Sequence, residues 1–299
     1  MVTVIILTYN EQIHIERTLI NVSKLTDDIV IVDSFSTDKT QEICERYGTR
    51  FFQNPFINQA EQMNWAIDNV PFEKPWIFRL DADEYLTDEL IEEIKTKIPT
   101  LEEKYTGVFL KRRVYFQDKW IKRGGYYPTW ILRLWRNGYG RVEQKWMDEH
   151  ILLSSGETTK FEHDFIDDNL NNLTWWTAKH NNYATREAAE ALNKKYNFLE
   201  GDNIEAKIDK EKQDSTKRWF KENIYGRVPM FVRPMFYFFF RYCIKLGFLD
   251  GKQGLIWHFL QGFWYRFLVD AKVDQIETIA KKENRTVKDV LVNDFKMKL

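Results

Sequence analysis

Cysteine is nearly missing from this chain: Cys44 and Cys243 are the only two in 299 residues. Two thiols make no disulfide framework and suit a reducing compartment. With 13 Gly and 7 Pro no low-complexity linker is visible, nor is any internal repeat. An excess of one charge is missing too. The 44 Lys and Arg against 45 Asp and Glu leave a formal net charge of -1, so no basic footprint points to nucleic acid and no acidic excess points to disorder. Long apolar runs are also lacking. A bilayer span needs roughly 18 uninterrupted apolar residues, and the closest approach, Val228 to Phe248, is broken by Arg233, Pro234, Arg241 and Lys245. The opening run from Met1 to Leu7 has no basic lead and is too short for a secretory signal, so it is expected to be a buried strand of a cytoplasmic protein. Neither GxGxxG nor GxxxxGK with a following Ser or Thr occurs after it, which excludes a glycine cradle for a dinucleotide or a triphosphate. What the chain has in excess is aromatic side chains. There are 22 Phe, 14 Tyr and 11 Trp, 16% of the sequence, although 30% is charged and the mean hydropathy is -0.52.

The first half alternates short apolar runs with amphipathic stretches, the pattern of βαβ units and a largely parallel sheet. Strands are expected at Thr3 to Leu7, Ile29 to Val32, Thr49 to Gln53 and Trp76 to Leu80. Helices are expected from Ile13 to Ser23, after a cap at Ser36 or Thr37, from Asn58 to Asn69, and from Glu89 to Ile98 behind Thr87. From Gly107 to about Glu162 the texture turns strand-like, with pieces at Gly107 to Leu110 and Trp130 to Trp135. Helical periodicity follows through Leu170 to Leu199, Asp209 to Ile224, Met230 to Lys245, Gly254 to Lys272 and Val273 to Ala280. The expected organisation is an α/β catalytic domain over residues 1–165 and a helical, aromatic-rich extension over 166–299.

Ligands of an open parallel sheet bind outside the carboxyl ends of its strands. Three such ends carry polar sets: Thr8-Tyr9-Asn10-Glu11, Asp33 to Asp38, and Asp81-Ala82-Asp83-Glu84. One acidic strand end is ordinary turn chemistry; three on one edge indicate a site. In the absence of glycine loops, a diphosphate is neutralised by a divalent ion. Asp81 and Asp83 offer the hard oxygens that Mg2+ or Mn2+ prefers, and their i, i+2 spacing points both carboxylates the same way.

These segments, with Asp33 to Thr40 and Gln62-Met63-Asn64-Trp65-Ala66 in order between them, resemble a family 2 glycosyltransferase of the GT-A fold, a Rossmann-like, mostly parallel α/β domain. Trp130 to Arg136 and Gly247 to Leu255 resemble the bacterial lipopolysaccharide-core glucosyltransferase branch. The resemblance implies that Thr8, Tyr9, Asn10, Glu11 and Asp33 hold the nucleotide, with Gln62 and Asn64 lining the donor side. Met63 stands where a basic residue is often found. Asp81 is then turned to the ribose or a metal-bound water and Asp83 to Mg2+ or Mn2+, with His163 as a further metal ligand and Arg133, with Arg136, countering the diphosphate. Inversion by direct displacement needs a carboxylate base, and Trp146-Met147-Asp148-Glu149-His150 supplies Asp148 or Glu149. Related sequences carry His-Glu here, which favours Glu149; an exposed acidic turn is the competing reading. The implied reaction moves a sugar from a nucleoside-diphosphate donor to a glycan or lipid-linked glycan in cell-surface polysaccharide or lipopolysaccharide synthesis. A sugar-nucleotide pyrophosphorylase lacks support, since its Gly-rich basic first loop is missing. A non-catalytic membrane-surface or glycan-binding protein on the same scaffold is the alternative from another class.

About a third of residues 219–267 are aromatic, with Lys and Arg interleaved. That mixture suits an amphipathic helix lying in a bilayer interface, where a lipid-linked acceptor resides, so the chain is expected at the inner face of the cytoplasmic membrane. Internal packing of a helical subdomain, or a dimer, would use the same residues.

Overall fold

A computed structural model describes residues 1–143, 149–198 and 228–297. The chain divides into two compact units, Met1–Leu170 and Asn171–Leu299.

The first unit is built on a sheet whose early strands are β1 (Val2–Thr8), β2 (Ile29–Asp33), β3 (Arg50–Gln53) and β4 (Trp76–Asp81). They lie parallel in the order β3-β2-β1-β4. Alternation along β1 explains why both sheet faces are covered. Val2, Val4 and Ile6 pack into one core with Ile15, Leu19 and Val22 of α1 (Ile15–Val22) and Ile43 of α2 (Thr40–Arg46). Ile5 faces the opposite core, with Ala60, Met63 and Ala66 of α3 (Gln59–Asn69). Asn58 caps α3, its side chain accepting from the Glu61 N–H. Thr87 does the same for α4 (Asp88–Lys97), accepting from the Leu90 N–H, as its position ahead of Asp88 and Glu89 predicts.

Two local details differ from expectation. The α2 helix starts only at Thr40, behind Lys39 and with no side-chain cap, because Ser36 and Thr37 spend their hydrogen bonds on Asp33 and Asn10. A strand not among those expected follows β4: Glu84–Leu86 forms the short β5.

The later strands are β6 (Tyr105–Phe116), β7 (Lys119–Trp120), β8 (Thr129–Arg136), β9 (Gly140–Val142), β10 (Ile151–Leu153) and β11 (Glu157–Asp168). β8 runs antiparallel between β4 and β6, and β11 lies parallel to β6 and antiparallel to β5. The carboxyl ends of β6 and β11 therefore lie on the same sheet edge as that of β4. β9 and β10 form a separate antiparallel hairpin.

The second unit is helical. Ala184, Ala188, Ala189 and Leu192 of α5 (Leu173–Tyr196) pack against Tyr265, Val269, Val273, Ile276 and Ala280 of α8 (Tyr265–Glu283), with Val290 and Leu291 of α9 (Val287–Asn293) closing the core. No breaker separates Lys272 from Val273, so the two helices expected there are one. Between α5 and α8 stand α6 (Arg233–Phe239) and α7 (Gly251–Trp257), each running on into a π-helical turn. The helix expected over Asp209 to Ile224 lies outside the described residues. The Gly247 to Leu255 motif has a packing explanation. A Cβ on Gly254 would stand 2.7 Å from the Gly247 carbonyl oxygen, and one on Gly247 would stand 2.4 Å from His258 Nε2; glycine alone permits that closeness.

Candidate active site

Register brings the three predicted strand ends together: Thr8 is opposite Asp33, and Leu7 is opposite Asp81. The β1 and β2 loops are bound to each other by side-chain caps. Asn10 adopts a left-handed φ of 56°, which asparagine tolerates. Its N–H donates to Ser36 Oγ at 2.8 Å, and its Oδ1 accepts from the Thr37 N–H at 2.8 Å. The Glu11 N–H donates to Thr40 Oγ1 and the Gln12 N–H to Asp38 Oδ2. Tyr9 stands 59% exposed at the rim of this framework.

Asp33 does not match the expectation of a carboxylate open to the nucleotide. It is fully buried and accepts from Thr8 Oγ1 at 2.9 Å, the Ser36 N–H at 2.7 Å and Ser36 Oγ at 2.5 Å. It sets the shape of the loop. Gln62 is likewise buried, donating to Ser34 Oγ and the Asn54 carbonyl while accepting from Asn54 Nδ2. Asn64 is a correction as well. Instead of lining the donor side, its buried amide donates to the Val142 carbonyl at 2.8 Å and accepts from the Val142 N–H at 2.9 Å. It thereby ties α3 to the loop end of the β9–β10 hairpin. Buried amides need such partners, and here the partner is the hairpin that carries the predicted base.

That hairpin closes with the Glu143 N–H donating to the His150 carbonyl at 2.8 Å. Glu149 sits half-buried just before β10. Asp148, the other candidate, lies outside the described residues.

The Asp81-Ala82-Asp83 segment is held from several sides. Thr18 Oγ1 of α1 donates to the Ala82 carbonyl at 2.6 Å. Arg17 donates to the Asp83 carbonyl and, at 2.6 Å, to the Asp168 carboxylate. The Asp168 N–H donates to the Asp83 carbonyl at 3.1 Å, and Asn169 Nδ2 donates to Asp83 Oδ2 at 2.8 Å. Arg133 is deeply buried and donates from one nitrogen to Asp81 Oδ2 at 3.1 Å and to Glu84 Oε1 at 2.6 Å. Its cation thus neutralises the acidic turn itself, a different duty from the expected one of facing the diphosphate. Burial pushes Glu84 up to about 8, against the pull of Arg133 and with the help of nearby Asp81. Burial likewise raises Asp167 to about 6, opposed by Arg112. Burial pulls the Arg133 guanidinium down, but Asp81 and Glu84 outweigh it and hold it above its ordinary value.

His163 is not part of this group. It lies exposed in the irregular stretch of β11 between Lys160 and Asp164, where Glu93 of α4 accepts the N–H groups of Glu162 and His163. Five residues of strand, about 16 Å at the usual rise, separate it from Asp168. The bulge explains the displacement: Glu93 satisfies its unpaired amides and draws that backbone toward α4. Arg136 also serves structure, donating to the Tyr105 and Leu101 carbonyls. Among the described residues no three His, Cys, Asp or Glu side chains are grouped so as to hold a metal. Asp81 and Asp83 are two hard-oxygen donors on a half-exposed turn, which fits Mg2+ or Mn2+, ions that take one or two carboxylates and complete their shell with water and substrate phosphate.

Sequence reasoning gave Glu84 no role of its own and passed over Arg17, Thr18, Asp168 and Asn169, and also His14. The His14 ring is fully buried; its Nε2 accepts the Leu170 N–H at 2.9 Å, so its Nδ1 carries the proton toward Glu11 Oε2 at 2.6 Å. The acidic end of β11 was a readable signal, being a fourth polar strand end on the same edge. Nothing local marks His14, whose partner is distant in sequence.

The chain is similar to several known glycosyltransferases. An "Uncharacterized glycosyltransferase" of Rickettsia bellii is 36% identical over 94 residues, 31% of this chain and 31% of that protein; a relative in Rickettsia conorii is 33% identical over 94 residues. The match spans about a third of these relatives' length. "Lipopolysaccharide core biosynthesis glycosyltransferase LpsC" of Rhizobium meliloti is 24% identical over 289 residues, covering 93% of this chain and 94% of LpsC. Among solved structures, the mannosyltransferase PcManGT of Pyrobaculum calidifontis, in complex with GDP-Man and Mn2+, aligns with a TM-score of 0.40 and 16% identity over 64% of each chain. The model of "Glycosyl transferase family 2" matches residues 3–167, the stretch that holds the ends of β1, β2 and β4. On that match, over more than half of its length, the chain belongs to glycosyl transferase family 2.

Proposed function

We propose that the protein is an inverting, divalent-metal-dependent glycosyltransferase that moves a sugar from a nucleoside-diphosphate donor to a glycan or lipid-linked glycan, in the synthesis of a lipopolysaccharide or related surface polysaccharide. The observation that carries this reading is the shared edge: Thr8, Asp33 and Asp81 end adjacent strands in register, and Asp83 is held beside them by Asn169. The cross-braced β1 and β2 loops leave Tyr9 at the rim to meet the base, with Asn10 and Glu11 below it. Asp33 acts through the loop it shapes. Asp83, with Asp81 beside it, would hold Mg2+ or Mn2+, which when bound stabilises charge on the departing diphosphate as a Lewis acid. Arg133 keeps the acidic turn in place. Glu149, on a hairpin braced by Asn64, takes the proton of the acceptor hydroxyl, a role that a carboxylate fills in inverting displacements. Similarity to LpsC over nearly the whole chain supports the lipopolysaccharide assignment. Incubation of the full chain with a panel of nucleotide sugars and Mn2+ should release nucleoside diphosphate from one class of donor; no release from any of them would contradict the proposal.

The helical unit supports placement at a membrane surface. Met235, Phe236, Phe239 and Ile244 are 59%, 64%, 55% and 60% exposed, and residues 228–249 contain no Asp or Glu but do contain Arg241 and Lys245. Exposed apolar bulk with cations and no acids suits an anionic bilayer interface. Among the described residues no helix is long and apolar enough to cross a membrane. The full chain should float with phosphatidylglycerol vesicles and lose that binding on Phe236→Ser/Phe239→Ser; undiminished flotation of the double variant would place the contact elsewhere.

A further inference from the structure

Between Lys111 and Arg136 the chain carries eight Lys or Arg and a single acid, Asp118, within a protein of net charge -1. Most of this region is the end of β6, the turn after it and the start of β8. Because β6 runs in the direction of β4, the turn leaves the sheet at the edge where Asp81 and Asp83 lie; Tyr115 of β6 is paired with Asp168, whose N–H binds the Asp83 carbonyl.

The inner cations are already matched. Arg113 and Lys111 reach the buried Asp164 at 2.6 and 3.6 Å, Tyr127 Oη donates to the same carboxylate, and Arg112 lies 3.4 Å from Asp167. Two exposed lysines, Lys122 of the turn and Lys160 of β11, are not. Lys122 stands 4.9 Å above the Trp120 ring and Lys160 stands 4.9 Å above the Trp130 ring. Both lysines are exposed, and among the described residues neither forms an ion pair. Trp120 meets Tyr127 edge to face at 5.0 Å, so the two rings and Trp130 form half-buried aromatic walls with cations on their faces. Trp130 packs on the same core as Val142, Ile151 and Leu153 of the β9–β10 hairpin, which puts this wall on the side of the sheet that carries Glu149.

We propose that this surface is the acceptor platform and that the acceptor is an anionic glycan, one bearing a phosphate or a carboxylate. The aromatic walls take the sugar rings, and Lys122 and Lys160 leave their ring faces to pair with the negative group. A neutral acceptor offers these lysines only its hydroxyl oxygens, whereas a charged one gains the stronger charge-assisted contacts. The inference rests on the transferase reading, since it names the acceptor of that same site.

The test uses the full chain with Mg2+ and a mixture of UDP and GDP present, so that donor-site phosphate binding is satisfied. Three probes are titrated by saturation-transfer NMR at low salt: p-nitrophenyl β-glucoside, its 6-phosphate, and p-nitrophenyl β-glucuronide. At least one charged probe is expected to bind five- to tenfold more tightly than the neutral one, and which of them does separates phosphate from carboxylate. In Lys122→Glu/Lys160→Glu, with thermal unfolding checked against the parent, the preference should vanish. Equal affinities for the three probes, no binding of any, or a preference that survives in the double variant would overturn the inference. Nucleotide binding, followed separately without glycoside, reports on the donor reading alone.

Discussion

Asp83→Ala is expected to lower sugar transfer at least a thousandfold and to remove its dependence on Mn2+. The size follows from what the carboxylate does. A metal that stabilises the leaving diphosphate contributes several kcal/mol to the transition state, and losing about 4 kcal/mol costs roughly a thousandfold in rate. The fold should survive, because the side chain makes one described hydrogen bond, from Asn169 Nδ2, and a bond of that kind contributes about 1 kcal/mol. The main-chain ties from Arg17 and Asp168 to the Asp83 carbonyl remain in the variant. Steady-state transfer over a Mn2+ titration, with thermal unfolding as the control, decides the matter. Transfer within tenfold of the parent would remove Asp83 from the metal site.

Glu149→Gln is expected to lose turnover by about 10^2- to 10^4-fold, the range that general bases contribute, while the affinity for the donor nucleotide stays as it was. The separation of the two effects is the point of the experiment. Glu149 lies on the β9–β10 hairpin, and the strands that form the β1, β2 and β4 edge are untouched by the substitution. The isosteric amide retains the side chain's size and removes only its basicity. Unimpaired turnover would pass the proton to Asp148, the adjacent acid of the same motif.

Much of this was legible in the sequence, and the physical reasons are specific. The parallel strands β1, β2 and β4 are continuous apolar runs because both faces are covered, and each ends on the polar set that marks its carboxyl end. The cap at Thr87 could be read from residue type and position. What escaped reading was partnership across long sequence separations. Asn64 looked like a ligand residue but holds Val142, 78 residues away. Arg133 looked like a phosphate partner but is committed to Asp81 and Glu84. His163 lies within a bulge whose amides belong to Glu93, and no periodicity announces a bulge. The aromatic excess divides as well: Tyr265 is buried against α5 in the helical core, whereas Phe236 and Phe239 face outward.

The central claim, a metal-assisted nucleotide site at the edge shared by Thr8, Asp33, Asp81 and Asp83, is tested most directly by calorimetric titration of the full chain with UDP and GDP, each in Mn2+ and in EDTA. One nucleotide is expected to bind at least tenfold more tightly with the metal present. Binding of equal strength in Mn2+ and EDTA, or no binding of either nucleotide, would contradict the account.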